Sequence, residues 1–372
     1  MEKAVYDTIT NETYNNVTAW PDDSMGLPPA LDFNLQAFDF QKYAYMIMNP
    51  MGIVCNLFVF YIFTKTKLKR YSTAQYLAAT AIADSGFLLA LMVKNLNEYR
   101  IPIYHRHGGC QLVTFGLHAF PFLIRWYLCC AVVDQFIGVH WPLKKPKICT
   151  VFSAKCVVIC LAIVAVVCYL YVTWHFYSTH YEFIDIVICT LAWDDTNVLR
   201  SWFILTKMDA VINCGLPYIL MLILTCLIAV RCWICPRSSL SAGDIFPQRR
   251  GASATKPNEL KTMQVIVITA SVSIILCAPN CVQRLRELDP TFTPSSYVVE
   301  TIVVYCEALS SCIRIFIYTF CSHRFARQVR IHFPCLCRKL NIRKAISALM
   351  MTETDIASTS SNDIETATER KA

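Results

Sequence analysis

The chain is 372 residues long; 55% of them are hydrophobic, only 16% are charged, and mean hydropathy is +0.42. A soluble domain of this size needs far less apolar surface, so a polytopic membrane protein is the default. The net charge of +8 does not point to nucleic acid, because the basic residues lie in short loops between apolar segments.

Residues 1–40 form a polar, acidic segment in which Asp7, Glu12, Asp22, Asp23, Asp32 and Asp39 outweigh Lys3. It reads either as a solubilising glycosylated leader or as a segment that folds on a ligand. Two sequons, at Asn11 and Asn16, fall within it. Met1 to Thr10 has no apolar core, so no cleavable signal peptide is expected and the first span would direct insertion.

Seven apolar segments follow, at roughly 41–63, 74–95, 109–138, 153–176, 200–233, 262–284 and 297–320. Each is long enough to cross a bilayer as a helix. Lys65, Lys67, Lys69 and Arg70 follow the first, and Lys144, Lys145 and Lys147 follow the third. Arg249, Arg250, Lys256 and Lys261 precede the sixth, and Arg324, Arg327 and Arg330 follow the seventh. By the positive-inside rule these loops are cytoplasmic, which puts the N-terminus outside.

Several spans carry polar residues that must be satisfied inside a bundle. The first has Asn56 and the second Asp84. The third opens at Cys110, holds Leu117, His118 and Arg125, and closes with Asp134-Gln135 before Pro142-Leu143. At 1.5 Å per residue, Cys110 to Gln135 is about one membrane crossing. Arg125 calls either for a buried ion pair, with Glu307 as the candidate, or for snorkelling and carbonyl contacts. Tyr181 to Leu191 is rich in β-branched, partly alternating residues, which predicts a hairpin.

The fifth span carries Lys207, Asp209 and Asn213 ahead of Leu216-Pro217. Lys207 is expected at the headgroups, and Pro217 at a kink. The stretch from Pro236 to Pro257 reads as a flexible loop. The sixth span contains Glu259 near its start, then Cys277-Ala278-Pro279, then Gln283 and Arg284. The seventh holds Glu300 and Glu307, seven apart and so on nearly one helical face, and ends in Arg314-Ile315-Phe316-Ile317-Tyr318. Residues 322–327 predict a short amphipathic surface helix, with Cys335 and Cys337 beyond it as palmitoylation candidates. The tail, 334–372, ends in Ser and Thr among acids, a phosphorylation pattern.

Asn56, Asp84, Cys110, Asp134, Pro142, Cys189, Pro217, Pro279 and Tyr318, in this order and spacing, resemble a divergent rhodopsin-like (class A) G-protein-coupled receptor over about residues 41–335. The resemblance implies an all-α membrane protein, a seven-transmembrane helix bundle with a short C-terminal amphipathic helix, spanning 41–333. It also implies a disulfide between Cys110 and Cys189, both at predicted extracellular positions; most of the other cysteines lie in apolar segments, where Cys behaves as a small hydrophobe. In the family, Asp84 would bind sodium and couple to activation. Asn56, Arg125, Asp134, Gln135, Pro217, Glu259, Cys277, Pro279, Arg314 and Tyr318 would complete the switch.

The departures are specific. Gln135 stands where relatives have Arg, Cys277 where they have Trp, Thr225 where they have Tyr, and Arg314-Ile315 where they have Asn-Pro. Gln135 can offer Glu259 only a neutral hydrogen bond. In the shared fold Arg314 lies beside Asp84, which predicts a salt bridge where relatives bind sodium.

Leu117 replaces the Asp of amine receptors, which argues against a monoamine. The hairpin and the charged outer ends of spans five to seven favour a peptide, with Leu117, His118, Asp209, Asn213, Gln283, Arg284, Glu300 and Glu307 as pocket residues. The expected function is a neuropeptide receptor of the plasma membrane, signalling to heterotrimeric G proteins and bound by arrestin after tail phosphorylation. A non-signalling scavenger or scaffold is the alternative; a transporter would call for internal repeats, and none is visible. No nucleotide loop, metal spacing or catalytic triad appears, so no enzyme, metal or cofactor is expected.

Overall fold

A computed structural model describes residues 29–99, 101–181, 186–192, 195–240, 257–286 and 297–333. The sequons at Asn11 and Asn16, Cys335, Cys337 and the tail lie outside the described residues, as does the side chain of Glu259.

Helix α1 (Pro29–Lys65) is followed by a 3-10 turn, Lys67–Arg70, whose cap Thr66 accepts from the Leu68 amide. α2 is Ser72–Asn95 and α3 Gly109–His140. Gly108 precedes α3 at φ 83°, a left-handed conformation that favours glycine, and its amide donates to Gln111 Oε1 (2.7 Å). α4 is Val151–Tyr169, capped by Thr150, and a single further turn, Val172–His175, carries the chain to its outer end.

α5 is continuous but uneven: Thr196–Asp209, a π-helical Ala210–Gly215, then Leu216–Leu240. α6 is Pro257–Arg286, α7 Tyr297–Cys321 and α8 His323–His332. Seven of these helices are long and apolar enough to cross a membrane. The short α8 carries its apolar residues Phe325, Ala326 and Val329 inward and its basic residues elsewhere, as an amphipathic surface helix does.

Within the bundle α2 and α3 are the central helices, with 67% and 61% of their spanning windows buried, against 17% for α4. α4 therefore lies at the rim, with an almost uniformly apolar surface. A Cβ at Gly52 would run into Cys312 and Leu88, so α1 approaches α2 and α7 closely there. That approach lets Asn56 Nδ2 donate both to Gly52 O and across to Ser311 O, each at 3.0 Å.

The expected hairpin exists, but its first strand lies upstream of the expected stretch. β1 is Phe176–Tyr181 and β2 Ile186–Leu191, antiparallel, with Ser178 opposite Cys189. The apolar run read as a span to residue 176 breaks at Tyr169, because Tyr171 to His175 turn and Phe-Tyr-Ser-Thr-His-Tyr favours strand through its aromatic and β-branched residues.

Candidate functional site

Arg125 sits halfway along α3, 5% exposed, and its guanidinium is fully used. Nε donates to Tyr218 Oη (2.9 Å), Nη1 to Asn213 Oδ1 (2.7 Å) and Nη2 to Glu307 Oε1. The second oxygen of Glu307 accepts from Asn280 Nδ2 at 2.6 Å. One ion pair with three polar partners thus joins α3, α5, α6 and α7, the satisfied arrangement that a buried charge requires. The snorkelling alternative for Arg125 does not hold.

Two prolines shape this hub. Pro217 lacks an amide proton and its ring crowds the carbonyl four residues earlier, that of Asn213. The helix accommodates it with the π-helical turn Ala210–Gly215, which contains Asn213. Pro279 sits beside Asn280 on α6. Asn213 was expected to line a ligand pocket; it is buried and serves Arg125 instead.

Deeper toward the cytoplasm, Arg314 of α7 pairs with Asp84 of α2, both essentially buried. The same guanidinium reaches Ser310 Oγ (3.4 Å) and Ser273 Oγ (3.5 Å). Between the two ion pairs lies a cavity of about 10 Å³ bordered by Arg125, Cys277, Glu307, Ser310 and Arg314. That is room for about one water molecule. A sodium ion at Asp84 does not fit this arrangement, because the guanidinium already supplies the countercharge to the carboxylate.

At the cytoplasmic end, Asp134 accepts from Ser72 Oγ (2.7 Å) and from Thr73 Oγ1. Gln135 is 2% exposed, and its amide donates to Thr73 Oγ1 (2.6 Å) and Asp134 Oδ2 (3.3 Å). It is therefore turned toward α2. Burial, and then the Asp134 carboxylate, push the neighbouring Cys149 thiol up to about 12. Tyr318 packs between Phe63 and Phe325, with centroids at 5.5 and 5.8 Å.

At the outer end, the Cys110–Cys189 disulfide ties β2 to the start of α3, with the two Cα atoms 5.4 Å apart. The Cys189 amide donates to His105 Nδ1 at 2.9 Å. Burial, and then the Lys94 charge, hold His105 below the usual imidazole range. Below the disulfide, His118 donates from Nδ1 to Thr114 O (2.9 Å), and its ring lies 5.9 Å from Trp202 and 6.3 Å from Tyr169. Tyr169 donates to Asp209.

Leu117, Gln283 and Arg284 are half-buried around this region, and Lys207 is exposed. Glu300 is also exposed, in the first turn of α7, while Glu307 two turns on is 12% exposed. The shared helical face therefore does not make them one site. Sequence reasoning missed Tyr218, Asn280, Ser72, Thr73 and the aromatic group of Tyr169, Tyr171, His175 and Trp202. Tyr218 and Asn280 each follow a kink proline, a signal available in the sequence.

Residues 55–318 match the family described as 7 transmembrane receptor (rhodopsin family). The chain is 24% identical to the thyrotropin-releasing hormone receptor of Gallus gallus, over 86% of each chain. For the Bos taurus receptor of that name the identity is 24%, over 86% of this chain and 85% of the relative. The Homo sapiens receptor is 28% identical over 31% of this chain and 29% of its own. A family match across the spans, together with seven membrane-crossing helices, places the chain in the rhodopsin family of seven-transmembrane receptors.

Proposed function

We propose that the protein is a plasma-membrane receptor for an extracellular peptide that signals to heterotrimeric G proteins. The observation that carries this reading is the hub at Arg125, where one ion pair holds α3, α5, α6 and α7 together at the level of Pro217 and Pro279. A ligand that favours one arrangement of such a hub shifts the whole bundle by its differential affinity for the two states. The peptide class rests on the hairpin bound to α3 by its disulfide and on relatives named for thyrotropin-releasing hormone, a peptide.

In this reading the ligand rests against Leu117, His118, Asp209, Gln283, Arg284 and Glu300, and its arrival is sensed through Asn213 and Glu307. Asn56, Asp84, Asp134, Gln135, Glu259, Cys277, Arg314 and Tyr318 carry the response inward. Residues 1–40 form the extracellular segment, glycosylated at Asn11 and Asn16; 41–333 form the receptor domain; 334–372 form a cytoplasmic tail palmitoylated at Cys335 and Cys337. Arrestin binds the tail after phosphorylation.

The test is G-protein activation in cells expressing the chain, challenged with a peptide library beside a Gln135→Arg variant. Ligand-dependent activation of the unmodified chain supports the proposal. A second reading, a non-signalling scavenger or scaffold, draws on Gln135 being turned toward Asp134 and Thr73. That reading gains if peptides bind and are internalised while only the Arg variant activates.

A further inference from the structure

We propose that the cytoplasmic ends of α1, α2 and α4 form a binding site for the headgroup of a polyanionic inner-leaflet phospholipid, of the phosphoinositide class. The site is a cleft of about 630 Å³ lined by Thr64, Lys69, Arg70, Gln75, Val151 and Lys155. Three of its six lining residues are cations and none is an acid. None of the three has an ion-pair partner among the described residues. Three unneutralised cations in one concavity are poorly explained as packing, since like charges repel unless an anion joins them.

The cleft is built. Gln75 Nε2 donates to Lys69 O at 2.8 Å, and Thr66 caps the turn, so Lys69 and Arg70 are presented from a fixed 3-10 turn rather than a loose loop. Lys155 comes from the first turns of α4, three residues after Phe152 and four before Ile159, which are 78% and 59% exposed. Cation and lipid-facing apolar residues thus share one helical face. On α2, Ala79 and Ile82 continue the Gln75 face into the membrane at helical spacing, and Ile82 is exposed.

A headgroup in the cleft therefore has an apolar path for its acyl chains directly beyond it. That continuity favours a lipid over a free polyphosphate, and the inner leaflet is the anionic one. Three cations match a headgroup carrying several phosphate charges better than a singly charged one. The site lies apart from the Arg125 and Arg314 networks, so it does not depend on which ligand the outer face takes.

The full chain in phosphatidylcholine nanodiscs is titrated with dioctanoyl phosphatidylinositol 4,5-bisphosphate, with phosphatidylserine and with inositol 1,4,5-trisphosphate, and binding is read by native mass spectrometry. Saturable binding of the phosphoinositide is expected. It should weaken by about tenfold or more in Lys69→Gln/Arg70→Gln/Lys155→Gln, given what each near-surface cation contributes. Lys144→Gln/Lys147→Gln/Arg327→Gln, which removes equal charge elsewhere on the same side, should change it by less than about twofold. Equal losses in the two variants, or phosphatidylserine binding as well as the phosphoinositide, would reduce the cleft to general surface charge and overturn the site. Inositol trisphosphate binding as tightly as the lipid would overturn the lipid assignment. Lys155→Glu alone changes one exposed residue and must also weaken binding at an unchanged thermal midpoint, which separates lost binding from lost folding.

Discussion

Arg125 and Glu307 stand 182 positions apart in the chain and share a buried ion pair on which α3, α5, α6 and α7 all converge. Removing one partner leaves the other charge buried and uncompensated, a loss of about 3–5 kcal/mol. Glu307→Gln and Arg125→Met should each lower the thermal midpoint of the purified protein substantially. The double variant Arg125→Met/Glu307→Leu should recover much of that loss, because it removes the unpaired charge. A double variant no more stable than the worse single one would mean that the pair is not the element holding these helices.

Arg314 supplies Asp84 with its countercharge, so stability and ligand affinity should not change when sodium is replaced by N-methylglucamine at constant ionic strength. In Arg314→Asn the carboxylate is left without that partner, and stability should fall by about 3–5 kcal/mol. Sodium should then restore part of it, about 1.4 kcal/mol for an ion present at ten times its Kd. Thermal midpoints of both proteins with and without sodium decide the matter. A sodium response in the unmodified protein would show that Arg314 leaves the site when an ion arrives.

The Cys110–Cys189 disulfide closes a loop with a sequence separation of 79 and anchors β2 over the outer end of α3. Cys189→Ser should destabilise the protein by about 2–5 kcal/mol. Surface expression should drop with it, and peptide binding should suffer more than the residual expression explains. Normal binding per surface molecule would remove the hairpin from the ligand site.

The extent to which this arrangement was legible in the sequence follows from depth and sign. Asp84 and Arg314 are opposite charges, each alone in an apolar stretch, at depths that the family motifs align, so their pairing could be anticipated. Arg125 was ambiguous, because a long side chain halfway along a span can reach several partners and the sequence does not say which way it turns. Asn213 and Tyr218 became its partners through the π-turn before Pro217, a register change that motif spacing does not encode. Glu300 and Glu307 share a face by periodicity, yet one is at the mouth and the other in the hub, because helical phase fixes direction and not depth. β1 was absorbed into the fourth span because its Phe and Tyr residues extend an apolar run.

The amide of Cys189 donates to His105 Nδ1, so this contact needs the imidazole with that nitrogen unprotonated. Burial opposes the charged ring, and Lys94 opposes it further; Tyr104 faces the ring at 5.1 Å without adding a charge. The folded-state pKa therefore lies below the unfolded value of about 6.5. Above that value His105 is neutral in both states and its contribution is complete. As the pH falls below it, the unfolded chain takes up a proton that the folded one resists, so stability is lost until the folded pKa has been passed. The thermal midpoint should thus fall on acidification from pH 7.5 to 5. His105→Asn, which keeps a neutral acceptor near the Cys189 amide, should flatten that dependence. An unchanged pH slope in this variant would assign the acid sensitivity to another group and leave His105 as a packing residue only.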